Sequence, residues 1–302
     1  MTQASAAIQV LVGYSQGSAS NILAQAVCPT LSKLLGQAID IVPLPGDNGA
    51  LAAARLAGAR ADGLTLGITV QAQVVGSLLD EQRRYDPLRD FSPIALFSRN
   101  PMVLLVSNSL NVHSAAELIA LAKARPGELA YGVSAVGGMP HLAAALFASM
   151  AGIDIRMRVY AETNVLFEDL VAGRIALSLN NPMLALPLAK AGKIGILATT
   201  GVTPSALAPE FPTLAQTALP GYEVVSWVGL WGPAGMPEDQ VNRLNSAMTQ
   251  TVETPAVSKA LREQGVEPVA EPPAYFAQRL RETLARWQPF ISANPGALSA
   301  ST

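Results

Sequence analysis

Cysteine is almost absent from this chain. Cys28 is the one example in 302 residues, which excludes an internal disulfide and any cysteine-based zinc site. On an apolar stretch it reads as a small buried hydrophobe. Histidine is nearly as scarce, with His113 and His141 both in the first half. Charged residues make up 14% of the chain, 20 basic against 22 acidic for a formal net charge of −2. No basic run could neutralise phosphates, so nucleic-acid binding has no support. No apolar run reaches the roughly 18–20 residues that cross a bilayer, because charges, Pro or Gly interrupt every candidate. The N-terminus lacks the basic and apolar regions of a secretory signal. Yet Ala4-Ser5-Ala6 looks like the small-residue end of a cleavage site, and the first apolar run follows at once. The expectation is a chain from which an export signal has been removed.

What is present is apolar and small. Half the residues are hydrophobic, which fits a globular protein and not a disordered one. The length fits two domains of ordinary size. Short Val/Ile/Leu runs alternate with Ala/Leu helical stretches, the pattern of βαβ units in an α/β protein with mainly parallel sheets. Strands are expected at 8–13, 38–43 and 64–69, with helices at 20–35, 49–59 and 71–80. A second series has strands at 102–106, 129–132, 155–160, 175–179 and 194–199, with helices at 114–124, 140–151, 163–172 and 182–191. A Pro-punctuated loop at 203–221 leads into an extended segment at 223–232, which carries the chain back to the first series. Helices near 237–252, 255–264 and 272–290 follow. In the last of these Tyr275, Phe276, Leu280, Leu284, Trp287 and Phe290 recur near helical spacing, as core residues do. From Ser292 onward the composition is that of a frayed tail.

This organisation predicts two lobes, residues 1–100 plus 226–302 and residues 101–225. Ligands of open α/β sheets sit at the carboxyl ends of strands, so a cleft between the lobes is the expected site.

The most suggestive local feature is Gly13-Tyr14-Ser15-Gln16-Gly17. It spells Gly-x-Ser-x-Gly between a strand and a helix, the nucleophile-elbow setting of serine hydrolases. The same stretch equally describes a helix N-terminus ringed by free amides and hydroxyls, which holds an anion without chemistry. Two points weigh against Ser15 as a nucleophile. It follows the first strand, so no earlier loop can supply an oxyanion-hole amide, and no histidine stands late in the chain where the elbow order places one. His113 precedes a helix whose N-cap is expected at Ser114. His141 starts another helix, where the dipole disfavours the positive charge a general base acquires. Walker, His-Glu-x-x-His and Gly-x-Gly-x-x-Gly patterns are missing, so no metal or other cofactor is expected.

Several segments together resemble the Bug-type (TctC-like) extracytoplasmic solute receptors, the periplasmic binding proteins of tripartite tricarboxylate transporters. They are Asp62-Gly63-Leu64-Thr65-Leu66, Tyr85-Asp86-Pro87 with Asp90-Phe91-Ser92-Pro93, Glu117 through Gly127, His141-Leu142-Ala143, Pro212-Thr213-Leu214-Ala215, and Leu219-Pro220-Gly221-Tyr222-Glu223 with Trp227 and Gly232-Pro233-Ala234-Gly235. The resemblance spans residues 8–293. It implies a periplasmic two-lobed protein, working as a monomer without cofactor. Such a protein would close on a small carboxylated ligand and present it to membrane components of the transporter.

The resemblance also assigns roles. The family's first ligand loop, Pro-x-Gly-Gly-x-x-Asp, aligns with Ser15 to Asn21; Gly17 is kept, Ser18 replaces the second glycine and Asn21 the aspartate. The second loop aligns with Tyr131 to Leu142, keeping Ser134, Gly137 and His141 while Gly138 loses a hydroxyl. The family's Pro-Tyr-Lys-Gly segment becomes Val159-Tyr160-Ala161-Glu162, keeping Tyr160 and the downstream Asp169-Leu170. The expected ligand-binding set is Tyr14, Ser15, Gln16, Gly17, Ser18, Ser20, Asn21, Thr69, Gln71, Ser134, Gly137, Gly138, His141, Tyr160, Asn180 and Asn181.

The residues support carboxylate capture independently, because two helix N-termini and their hydroxyls offer donors without a fixed cation. Asn21 is either a ligand contact or a helix cap. As a contact, its neutral amide is less suited than an aspartate to an ammonium group, which disfavours free amino acids. Gln71, Gln73, Asn180 and Asn181 are amides at strand ends, in turns or facing ligand. Strand alternation puts Arg158 on the face of Tyr160, as a cation near the site or a solvated surface residue.

Overall fold

The computed structural model describes residues 6–78, 82 and 84–294. Ala4-Ser5, the end of the 71–80 helix and the tail beyond Asn294 lie outside the described residues. In chain order the elements are β1 (Ile8–Val12), α1 (Ala19–Leu35), β2 (Ile39–Pro43), α2 (Ala50–Ala57), β3 (Thr65–Val70), α3 (Gln71–Gly76), β4 (Phe91–Pro101) and β5 (Val103–Ser107). Then come α4 (Ala115–Ala124), β6 (Ala130–Val133), α5 (Met139–Ala151), β7 (Arg156–Val159), α6 (Thr163–Val171), β8 (Leu177–Asn180), α7 (Pro182–Lys190) and β9 (Ile194–Thr199). The chain finishes with α8 (Leu214–Thr217), β10 (Val225–Pro233), α9 (Glu238–Glu253), α10 (Pro255–Glu263), β11 (Glu267–Glu271) and α11 (Pro273–Ala293).

The chain forms two compact units, one from residues up to Arg99 with Ser226–Pro289, the other from Asn100–Val225 with the residues from Phe290 on. The first holds a six-stranded sheet of order β11-β4-β10-β3-β1-β2, the second a five-stranded sheet of order β7-β6-β8-β5-β9. Each sheet has a parallel half: β2–β1–β3 in one, β7–β6–β8 in the other. The expectation of mainly parallel sheets is corrected for the remainder, since β10 pairs with β3, β11 with β4, and β5 with both β8 and β9 in antiparallel fashion. These strands follow the two chain crossings near residues 100 and 225 or the C-terminal helices. A strand reached by a crossing and not by a βαβ turn is free of the parallel constraint.

Two strands escape the sequence reading. β4 carries Pro93 and Pro101 and follows a turn-rich segment, which disguises its buried run Ile94, Ala95, Leu96 and Phe97. β11 is a short edge strand with Pro268 and a register break between Pro268 and Glu271. An edge tolerates both, because one side of the strand needs no ladder partners.

The helix boundaries follow local chemistry. Ser18 caps α1, whose far end stops at Gly36 in the left-handed conformation. Ser114 caps α4 as expected, and Thr213 with Gln216 forms a reciprocal capping box on α8. On α11, Phe276, Leu280 and Trp287 are buried, with Phe276 edge-on to Trp227 at 5.3 Å. Cys28 is buried on α1, and burial pushes its thiol up to about 12, so it is an inert core residue.

The Tyr85-to-Pro93 motif is a structural knot in the first unit. Asp86 Oδ1 accepts from the Leu88 amide at 2.8 Å and Asp90 Oδ2 accepts from the Asp86 amide at 2.8 Å. Phe91 stacks on Trp231 at 3.8 Å, while Ser92 Oγ accepts from the Met236 amide at 3.3 Å. The motif so pins the turn after α3 against the end of β10.

Candidate functional site

In the first unit the parallel strands β2, β1 and β3 bring their carboxyl ends to one edge of the sheet. Three segments meet there: residues 13–18, residues 44–49, and Thr69 with α3. Ser15, Gln16 and Gly17 are exposed, whereas Ser20 and Asn21 are buried at the start of α1. Ser18 Oγ accepts from the Asn21 amide at 3.3 Å, and Asn21 Oδ1 accepts from the Gly17 amide at 3.2 Å and from Gln25 Nε2 at 3.2 Å. Asn21 is thus a cap of its own loop. The amides of Ala19 and Ser20 find no acceptor among the described residues. Such orphan donors at the positive end of a helix dipole attract an anion.

The neighbouring segment buttresses this loop. Gly13 lies so close to Gly49 that a Cβ on it would stand 2.6 Å from the Gly49 Cα. Asp47, Asn48 and Gly49 are successive left-handed residues with φ of 48°, 52° and 89°, a costly run that its neighbours must hold. They do so through the Asp47–Arg84 ion pair, the Tyr14 hydroxyl donating to Asn48 O at 3.1 Å, and Gln73 Nε2 donating to Gly49 O at 2.9 Å. Burial pushes the Tyr14 phenol up to about 12, so it stays a donor. The Tyr85 hydroxyl in turn donates to Gln73 O at 2.8 Å. Thr69 Oγ1 and Gln73 Oε1 are buried without a protein partner. Gln71 is buried beside them in sequence, at the start of α3.

In the second unit β7, β6 and β8 likewise share a carboxyl edge. The loop after β6 carries half-buried Ser134, then Gly137 at φ 76° and Gly138 as the N-cap of α5, with no side chain to cap the first turn. His141 is fully buried, and its Nδ1 accepts from the Gly137 amide at 3.0 Å. A nitrogen that accepts carries no proton, so the ring is neutral with its hydrogen on Nε2. At the end of β8, Asn180 Oδ1 accepts from the Asn181 amide at 2.9 Å and Asn181 Oδ1 caps α7 by accepting from the Met183 amide at 2.8 Å.

Tyr160 is buried after β7, and its hydroxyl donates to Asp169 Oδ2 at 2.7 Å. Asp169 also binds Arg174 at 2.6 Å and Arg158 at 3.2 Å, and Arg158 lies 5.2 Å above the Tyr160 ring. The Tyr160 and Arg174 hydrogen bonds hold the Asp169 carboxyl below its ordinary value. Arg158 is committed to this cluster, and the phenol that the sequence offers to a ligand is committed to Asp169.

Each unit thus carries, at its strand carboxyl ends, a loop that opens a helix with free or uncapped amides, a local arrangement suited to an anion. Comparison with known proteins agrees. A profile described as tripartite tricarboxylate transporter family receptor matches residues 23–295. The chain belongs to this receptor family. The UPF0065 protein in the tcbD-tcbE intergenic region of Pseudomonas sp. (strain P51) is 29% identical over 93% of this chain and 84% of that protein. Among solved structures, R. palustris Rpa4515 with adipate is 33% identical with a TM-score of 0.77, covering 94% of this chain and 96% of that one. MatC from Rhodopseudomonas palustris with bound malate is 25% identical with a TM-score of 0.75, covering 94% and 98%.

Membership in the receptor family, two-lobed periplasmic solute-binding proteins and not enzymes, settles the reading of Gly13-x-Ser15-x-Gly17. The hydrolase alternative is not supported. Ser15 O accepts from the Ser18 amide at 3.1 Å as an ordinary loop turn, and both histidines belong to the second unit. His113 is exposed, its amide donating to Glu117 Oε2 at 2.8 Å, and the Nδ1 of His141 is taken by Gly137. Sequence alone gives no role to residues 44–48, between strand 38–43 and helix 49–59, and leaves Gln73 out of the ligand set. The position of Pro45-Gly46-Asp47-Asn48-Gly49 directly after a strand parallel to β1 was the available signal.

Proposed function

We propose that this receptor captures a small carboxylate, the candidate contacts being the loop 13–18 with α1 in the first unit and the loop 134–138 with α5 in the second. The two units, residues up to 99 with 226–289 and residues 100–225 with those from 290 on, act as the receptor's lobes, and the loaded form serves the membrane components of a tripartite tricarboxylate-type transporter. The carrying observation is the set of unpaired amides at Ala19 and Ser20, beside exposed Ser15 and Gln16, with no fixed cation among them. Charge-assisted hydrogen bonds from such donors are worth roughly 1.5–3 kcal/mol each. The adipate and malate of the two Rhodopseudomonas structures set the class to try first, acids with two polar ends. Thr69, Gln71, Ser134, Asn180 and Asn181 complete the ligand set in this reading, whereas Tyr160, whose hydroxyl is taken by Asp169, drops out of it. The mature protein works in the periplasm, as a monomer, after removal of a signal peptide.

Thermal shift against mono- and dicarboxylates, aromatic acids and free amino acids tests this. A ligand at a hundred times its Kd stabilises by about 2.7 kcal/mol. Hits are expected among the acids and few among amino acids; stabilisation by aspartate or glutamate alone contradicts the reading. An ester-hydrolysis assay on wild type and Ser15→Ala is expected to show background rates for both.

A further inference from the structure

The two ligand loops are built to one plan with different residues. In the first, Gly17 at φ 83° precedes the N-cap Ser18, whose φ and ψ are −66° and 159°. In the second, Gly137 at φ 76° precedes the N-cap Gly138, at −70° and 161°. The third helical residue is Asn21 in one and His141 in the other. Each turns a side-chain acceptor back to the glycine amide, at 3.2 Å and 3.0 Å. Both side chains are almost wholly buried, at 1% and 0% exposure. No Cβ would touch anything at either glycine, so space does not impose the left-handed turn. An amide side chain and an imidazole have little in common except an acceptor of the right reach.

Resting on the proposed ligand function, we infer that Asn21 and His141 are paired positioning residues. Each anchors the glycine that opens its loop and so presets the loop amides before ligand arrives. Preset donors spare the ligand the ordering cost that a mobile loop would charge to affinity.

A consequence for ligand choice follows at Asn21. The Gly17 amide is a donor that cannot turn round, and it fixes the Asn21 side chain with Oδ1 inward. Gln25 Nε2 donates to the same oxygen. The acceptor side of Asn21 is therefore spent, and Nδ2, which has no acceptor among the described residues, can offer only donors. A ligand group beside it must be an oxygen acceptor, such as a carboxylate, carbonyl or hydroxyl, and not an ammonium.

The test combines hydrogen exchange at the Gly17 and Gly137 amides with calorimetric titration of adipate, in the full chain and its variants. Asn21→Leu and His141→Leu are each expected to speed exchange at their own glycine about tenfold, the loss of one hydrogen bond of ordinary strength. Each is expected to weaken adipate binding by a similar factor. His141→Asn, which copies the first loop, restores both readings. Asn21→Asp keeps the Gly17 amide protected, because a carboxylate still accepts, yet binds adipate more than tenfold worse for want of the Nδ2 donor. Where a leucine variant fails to fold, the alanine variant of the same position is read in the same way. Unchanged exchange at Gly17 and Gly137 in these variants overturns the positioning role whatever binds. Failure of the wild type to bind any acid, with the exchange pattern intact, counts against the ligand function and leaves the positioning role supported.

Discussion

Replacing Gly13 by alanine probes how firmly the first ligand loop is braced. The new Cβ would stand 2.6 Å from the Gly49 Cα and 3.2 Å from the Gly49 oxygen, both backbone atoms that cannot swing aside. Carbon atoms rest at about 3.5–4.0 Å, so residues 13 and 49 must separate by about 1 Å. The bond that crosses this junction is Tyr14 to Asn48 O at 3.1 Å, while Gln73 holds Gly49 O from a third segment at 2.9 Å. Stretched by about 1 Å, the Tyr14 bond is no longer a hydrogen bond. Overpacking of this kind costs about 1–3 kcal/mol. In a domain of about 150–250 residues each kcal/mol lowers Tm by about 2–4 °C, so a drop of about 2–12 °C is expected by calorimetry. Acid affinity should fall at least tenfold, because residues 14–17 ride on the displaced segment. Gly17→Ala is the control. It meets open space but keeps a φ of 83°, so it carries only conformational strain of about 1–2 kcal/mol. A Gly13→Ala protein that melts within a degree of wild type would refute the brace.

Three further outcomes are expected. The Asp169 carboxyl is held below its ordinary value by Tyr160 and Arg174, so its stabilisation is complete above the unfolded pKa of about 3.9 and fades as pH falls through the native value. Asp169→Asn should melt lower at neutral pH and show a shallower acid slope than wild type; parallel curves would remove the cluster as the cause. Thr69→Val replaces a buried hydroxyl that has no protein partner, so Tm should hold or rise while acid affinity falls; a drop of several degrees would mean that the hydroxyl is bonded. Ser18→Gly should cost only a few tenths of a kcal/mol as a cap change while releasing the Asn21 amide, and a panel of acids should register a changed preference; an unchanged preference would mean that this amide never meets ligand.

Much of the frame was legible because it depends on local chemistry. Ser114 reads as an N-cap from Ser-x-x-Glu, and Ser18 opens α1 before an apolar helical run. Periodicity marks the buried face of α11. β4 and β11 were hidden for the opposite reason: proline and turn signals outweigh a short apolar run until the sheet supplies ladder partners. The direction of β5 and β10 is likewise a property of the sheet and not of their own residues.

The candidate site divides along the same line. That residues 13–21 and 134–141 would open helices with free donors follows from sequence, because glycine, small hydroxyl residues and a following apolar run suffice for it. What the side chains do there needs three dimensions. Tyr160 looks available in sequence, but Asp169 nine residues later takes its hydroxyl, and the two arginines at 158 and 174 close around that carboxylate. Asn21 looks like a choice between cap and ligand contact. The structure makes the alternatives compatible: the Gly17 amide takes the oxygen, and the orientation this imposes decides that Asn21 presents its nitrogen. The glycine therefore sets the polarity of the asparagine, and a residue type that sequence reads as ambivalent becomes a donor.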